Sequence, residues 1–208
     1  MNFSEKYFGK VEIVEILEYH INQVIEIHIA AFPGFFLSEL GNDVLRVFYR
    51  SLLQDKTTIF YGVKNEGELV GFFVASLKSK GLYTRLFFKN ISRFILPLFF
   101  SFSKNLSLLK RMMTSASSSS KLEVSTIYPA SLLSICVSPA HAGKGIGKIL
   151  LSTLEKELQL RKRHGYYLTT DANNNNATNQ FYLNFGFKLN GSYSQGKRIM
   201  NIYVKDIK

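Results

Sequence analysis

The residues with the clearest chemical potential lie in one short run, Gly143-Lys144-Gly145-Ile146-Gly147, placed shortly after Pro139. The strand-like stretch LLSICV (132–137) precedes it, and a helix-like stretch starting at Ile146 follows it. In physical terms, strand, glycine-rich loop and helix make a phosphate site. Glycine reaches positive φ and lets the backbone come close to a ligand. The free N–H groups of a helix start point at an anion, and the helix dipole adds to the attraction. The loop lacks the full dinucleotide-binding fingerprint, and no Ser or Thr follows Lys144 as a P-loop requires. Tyr182 is a second candidate, since a phenol can act as a general acid. From spacing alone, however, it reads as a core aromatic beside Phe181 and Phe185. His20, His28, His141 and His164 show no metal-ligand spacing, so no metal is expected, and His141 reads as an exposed loop residue. The single cysteine, Cys136, excludes an intrachain disulfide framework and a cysteine-based zinc site. It sits in an apolar run, where a buried thiol is inert as a nucleophile.

The elements that must position these groups follow from periodicity. VEIVEIL (11–17) alternates like a strand. Residues 20–31 put Ile21, Val24, Ile25 and Ile29 on one helical face, with Ile27 off it, and Pro33-Gly34 then breaks the chain. A second helix is expected from Ser38, as N-cap, to about Leu53. TTIFYGVK (57–64) and ELVGFFVASL (68–77) read as strands joined by a tight turn at NEG. The stretch at about 80–121 departs from this rhythm. It is apolar and basic, is interrupted by Pro97, and reads as two short helices followed by a mobile linker at Ser115 and Ser117–Ser120. Beyond the glycine loop, a helix is expected over 146–163, with the stem of Arg161 on its inner side. YYLTTD (166–171) reads as a strand. A short helix through Tyr182 then ends at Gly186, and two closing strands follow. The order is β-α-α-β-β, an insertion, then β-α-β-α-β-β, a mixed α/β sheet in a single domain spanning 1–208.

The net charge is +11, which favours anionic partners. The basic residues recur around 85–111, 144–163 and 197–208 and do not gather in one tail. No nucleic-acid recognition motif accompanies them, so no specific nucleic-acid partner is expected. The N-terminal residues do not read as a signal peptide, and no window reaches the roughly 18–20 apolar residues of a spanning helix. With a single cysteine, this fits a reducing, cytoplasmic compartment.

The segment LLSICVSPAHAGKGIGKILLSTLEKEL resembles the cofactor-binding motif of the GNAT superfamily of N-acetyltransferases. NNATNQFYLNFGFKLNGSY resembles the same superfamily's later helix with its Asn, Tyr and Gly-Phe, and HIAAFPGFFLSELGNDVLRVFYRSLL is similar to a subset of bacterial members. The resemblance implies a mostly antiparallel central sheet flanked by helices, here with a helical insertion between strands. It implies acetyl-CoA as co-substrate. The backbone of Ile135, Cys136 and Val137 would bond the pantetheine arm, where the strand splays. Ala142, Gly143, Lys144, Gly145, Ile146 and Gly147, with Lys148, would hold the pyrophosphate, and Asn175 would contact the cofactor. Tyr182 takes the place of the general acid that protonates the departing thiolate. The chain departs from the family pattern at Ala142, where Gln or Arg is common. It departs again at Ser131 and at Thr169 and Thr170, where relatives carry Glu. No general base is evident; Asp171, Glu39 and Glu123 are the nearest acids to consider.

The expected reaction is acetyl transfer to a primary amine by direct attack in a ternary complex, the acceptor being an amino sugar or amino-acid derivative. The alternatives are a peptide or protein amine, or an acyl-CoA-binding regulatory protein that has lost turnover. Residues 82–113 are expected to pack as a lid over the acceptor cleft or against a second subunit as a homodimer. The competing reading is peripheral contact with an anionic membrane.

Overall fold

The computed structural model describes residues 11–104 and 123–207. Its frame is one seven-stranded sheet, which grows from the hairpin of β2 (Thr58–Asn65) and β3 (Glu68–Ser76). The turn between them carries Glu66 at φ 51° and Gly67 at φ 87°. Two successive positive φ values match the right-handed twist of the flanking strands. β1 (Val11–Glu15) adds to β2, and β4 (Ala130–Val137) adds to β3, both antiparallel. β5 (Gly165–Asp171), β6 (Lys188–Gln195) and β7 (Arg198–Asp206) complete the order β1-β2-β3-β4-β5-β7-β6. Only the β4–β5 pair is parallel.

Helices cover both faces. On one side lie α1 (Ile21–Ala31), α2 (Phe36–Glu39) and α3 (Asn42–Leu53), with α1 against β3 and β4. The insert contributes α4 (Leu82–Lys89) and α5 (Ile91–Lys104), both packed on α3. A short turn of helix, α6 (Val124–Ile127), leads into β4. The opposite face carries α7 (Ile146–Leu160), the crossover between the two parallel strands, and α8 (Asn176–Asn184). Leu150, Leu151, Leu154 and Leu158 of α7 are fully buried against β2, β3 and β4. Burying a leucine of this kind contributes roughly 1.5–3 kcal/mol.

Several sequence expectations need correction. Gly41 adopts φ 90° and splits the helix expected from Ser38 into α2 and α3; it also occupies the N-cap of α3 in place of Ser38. Ile27 is buried, because the core beneath α1 wraps more than one stripe of the helix. The insert breaks at buried Asn90, whose amide donates to the Leu86 carbonyl, while Pro97 lies inside α5. Arg161 is exposed and paired with Glu157, so its stem does not line the core. The expected linker at Ser115 and Ser117–Ser120 lies outside the described residues. Among the described residues, no helix is long and apolar enough to cross a membrane.

Candidate active site

The site begins with a separation of strands. β4 and β5 pair only at Ala130↔Tyr166 and Ser131↔Tyr167. From Leu132 to Val137, β4 keeps β3 on one edge, and β5 stays with β7 as far as Asp171. The two strands therefore splay apart toward their C-terminal ends, leaving backbone N–H and C=O groups of β4 facing the gap.

A bulge in β4 sharpens this. Val74 pairs with Ser134, but Ala75 pairs with Leu132, so Leu133 is the extra residue. Leu132, Ile135 and Val137 pack in the core beneath α7, whereas Leu133 and Cys136 pack in the core beneath α1. Bulges re-aim side chains in this way next to functional sites.

At the mouth of the gap the chain turns through Pro139–His141 and enters the glycine loop. His141 is half-buried in that turn and not exposed as expected. Gly143 and Gly145 have φ of 74° and 87°, and Gly145 is the N-cap of α7. The N–H groups of Lys148 and Ile149 donate to the Gly145 carbonyl. Those of Gly143, Lys144, Gly145, Ile146 and Gly147 find no backbone acceptor among the described residues. Ala142, Lys144 and Lys148 are exposed around this cradle, and the buried Ile146 side chain anchors it from below. Five free donors, two lysines and a helix start fit a pyrophosphate group. Gly147 has a further reason to be glycine: a Cβ there would lie 3.0 Å from the Phe181 ring of α8.

Tyr182 is placed by the end of α8. Gly186 at φ 93° closes a Schellman motif, with Phe187 N–H donating to the Tyr182 carbonyl and Gly186 N–H to that of Leu183. The Phe187 ring meets Tyr182 edge-on at 5.5 Å, and Phe181 and Tyr203 complete its packing. The ring is buried. Burial, then the nearby Cys136, pushes its pKa well above that of an ordinary phenol, so the proton stays on oxygen at neutral pH. Burial pushes the Cys136 thiol up to about 12, against an opposing hydrogen bond from Ser134. This agrees with an unreactive thiol.

Asn175 is the N-cap residue of α8, and its amide nitrogen donates to Thr170 Oγ1 at 2.8 Å and to the Asp171 carbonyl at 3.1 Å. Asn179, which the sequence did not single out, is the more connected residue. Its amide nitrogen binds the carbonyls of Asp171 and Asn175, and its oxygen accepts from Asn201 and from the Tyr203 hydroxyl. Gly71 of β3 was missed as well: it lies against the Cys136 carbonyl of β4 and Ile146 and Leu150 of α7, with no room for a Cβ, a crowding visible only where three elements meet. Of the acids considered as bases, Asp171 accepts from the Arg198 guanidinium on both carboxylate oxygens. Glu39 lies exposed on α2, and Glu123 lies exposed at the start of α6. The Arg198 guanidinium also sits 5.3 Å over the Phe35 ring, so the approach to α2 touches the β6–β7 hairpin. Ser131 is buried within β4. No group of three metal-ligating side chains occurs among the described residues. A surface groove lined by Glu18, Val47, Arg50, Gln54 and Arg93 takes no residue from β4, β5 or α7.

Residues 119–189 match the family model of the acetyltransferase (GNAT) domain. No curated protein matches the sequence. Among solved structures, the ribosomal-protein-S18-alanine N-acetyltransferase of Escherichia coli is similar at TM-score 0.58 and 16% identity, over 96% of this chain and 95% of that one. An N-acetyltransferase of Staphylococcus aureus Mu50 is similar at 0.62 and 15%, over 96% and 100%. An aminoglycoside 6′-N-acetyltransferase complexed with coenzyme A is similar at 0.59 and 16%, over 95% and 97%. At these identities the likeness establishes architecture. The chain has the GNAT fold and carries a GNAT acetyltransferase domain match from residue 119 to residue 189.

Proposed function

We propose that the chain is an acetyl-CoA-dependent N-acetyltransferase acting on a small primary amine, and that residues 1–208 form one acetyltransferase unit. The observation that carries this reading is the β4–β5 splay, which has the donor-rich cradle at its mouth and Tyr182 beside it. When bound, acetyl-CoA supplies an activated acyl thioester. The cradle from Ala142 to Gly147, with Lys148, holds the pyrophosphate, and Asn175 contacts the cofactor near α8. The Ile135–Cys136–Val137 stretch of β4 orients the pantetheine arm as an extra strand would be held, through the edge of Ile135 and Val137 that faces the gap, while the Cys136 carbonyl faces Gly71 of β3. The Val137 N–H stabilises negative charge developing on the carbonyl oxygen. The amine nitrogen bonds to the acyl carbon as the carbon–sulfur bond breaks. Tyr182 gives its proton to sulfur, and the proton shed by nitrogen passes through water to restore the phenol.

The small-amine reading takes support from the contact of Phe35 with Arg198, which joins the loop before α2 to the β6–β7 hairpin. Calorimetric titration with acetyl-CoA, followed by thiol release against amino sugars, amino-acid amides and peptides, tests the proposal. Turnover with peptides alone would move the acceptor class. Cofactor binding without turnover on any amine would leave a regulatory acyl-CoA-binding protein.

A further inference from the structure

The helical insert carries more apolar surface than its packing uses. α4 and α5 lie on α3 through Leu82, Leu86 and Phe94, which are buried, and Leu98 packs partly buried beside Phe94. Ile91, Ile95 and Phe99 of α5 follow at four-residue spacing, one step round the helix from the Phe94–Leu98 row, and Leu96 lies further round the same way. All four are exposed; Ile95 is 59% and Leu96 64% open to solvent, and Phe88 at the end of α4 adds a ring at 68%. Arg93 takes the other side of α5, where its guanidinium donates to Gln54 Oε1. Single exposed apolar residues are ordinary, but a group of them on two consecutive helices marks an interaction surface.

The charge of this region has one sign. Residues 69–122 include nine Lys and Arg and no Asp or Glu. The rest of the chain holds 17 basic and 15 acidic residues, so the net +11 resides almost wholly in this stretch. Lys78, Lys80 and Lys89 are exposed, and no carboxylate forms an ion pair with them among the described residues.

We infer that α4 and α5 dock the protein on a membrane surface rich in anionic lipid, with Phe88, Ile91, Ile95 and Leu96 at the boundary of headgroups and acyl chains and the lysines on the lipid phosphates. Charge complementarity selects this occupant. A second copy of the chain would set the same cations against themselves across a two-fold axis, and like charges face to face oppose association. Residues 105–122 bring three more cations of the same sign. A nucleic acid would satisfy the lysines but offer nothing to Ile95 and Leu96. An anionic bilayer takes apolar side chains and cations in adjacent layers. α5 has 14 residues, short of the roughly 20 that span a bilayer, so it lies in the plane of the surface. Docking of this kind is independent of the acetyl-transfer reading.

Co-sedimentation of the full chain with two kinds of vesicle tests it: phosphatidylcholine and phosphatidylglycerol in equal parts, and phosphatidylcholine alone. Binding to the mixed vesicles should be at least roughly tenfold tighter than to the neutral ones, because several cations act together near the surface. Lys89→Ala should weaken it about fivefold, the share of one cation. Ile95→Asp combined with Leu96→Asp should weaken it by roughly tenfold or more, since two apolar side chains leave the interface. Both positions are exposed, so circular dichroism and calorimetric affinity for acetyl-CoA should match the wild type. Failure of the wild type to bind the mixed vesicles overturns the proposal, and so does equal binding to both kinds. Binding that survives the Lys89 and the Ile95/Leu96 changes alike places the contact elsewhere and overturns it. A wild-type dimer that the Ile95/Leu96 change dissociates, with no vesicle binding, gives this face to a second copy and overturns it as well.

Discussion

Gly71 and Cys136 stand so close on neighbouring strands that a Cβ on Gly71 would lie 2.9 Å from the Cys136 carbonyl oxygen. The same Cβ would meet Ile146 at 3.1 Å and Leu150 at 3.3 Å, both from the first turns of α7. The absence of a side chain at one β3 position thus sets how near α7 comes to β4. Gly71→Ala must displace backbone or helix. It should destabilise the fold by about 1–3 kcal/mol, as overpacking does, and weaken acetyl-CoA binding by moving the cradle. Chemical denaturation and calorimetry on the same variant check both effects. Unaltered cofactor affinity in a folded Gly71→Ala protein would separate the cradle from this contact.

Tyr182→Phe should lower turnover by roughly 10²–10⁴, the range for a general acid–base group. The substitution removes one oxygen and the ring keeps its packing, so the melting temperature and acetyl-CoA affinity should be preserved. Steady-state thiol release beside a thermal melt reads both. A variant with full turnover under chemistry-limited conditions would leave Tyr182 a packing residue.

The loop is best tested at Gly143. A side chain at Gly147 would strike Phe181, so any loss there mixes packing with binding. At Gly143 nothing lies within 4 Å of an added Cβ, and the cost is confined to φ 74°. Holding an L-residue there costs about 1–2 kcal/mol. Gly143→Val should reduce acetyl-CoA affinity at least tenfold and leave the core intact. Calorimetry with acetyl-CoA is the readout, with circular dichroism as the control.

Protonation of His28 gives an acid-side stability slope. The folded pKa of about 4 lies below the 6.5 of the free imidazole. Between these values the unfolded chain binds a proton that the folded chain refuses, so stability rises with pH across the window. The contribution is fully present above pH 6.5 and falls by about 3 kcal/mol as pH drops toward 4. His28→Gln should flatten the slope between pH 4 and pH 6.5. Urea midpoints at pH 7 and pH 4.5 measure it, and parallel slopes for variant and wild type would refute it.

Arg198 joins Asp171 and Phe35, so Arg198→Ala should loosen the hairpin against the approach to α2. The expected result is a higher KM for the amine with acetyl-CoA affinity unchanged. Product-formation kinetics at saturating acetyl-CoA test this, and a selective loss of cofactor affinity would count against it.

Much of the frame is local and was legible in the sequence. Alternation marked β1, β-rich runs around a tight turn marked β2 and β3, and the Leu150–Leu154–Leu158 stripe marked α7, because these signals need only neighbours in the chain. The glycine loop was legible for the same reason: positive φ at Gly143 and Gly145 and the free N–H groups of a helix start are properties of a short segment. Gly186 announced the end of the helix that carries Tyr182. The tertiary structure decided what depends on distant partners. The bulge at Leu133 and the splay after Ser131 are defined by how β4 meets β3 and β5, strands far from it in sequence. Asp171 was a candidate base until Arg198, 27 residues away, occupied both of its oxygens. Gly71 looked like any strand glycine until α7 packed on it. The meeting of His28 with Tyr49 joins two helices 21 residues apart. No periodicity encodes that distance, because desolvation and hydrogen bonding act through space and the sequence pattern reports only along the chain.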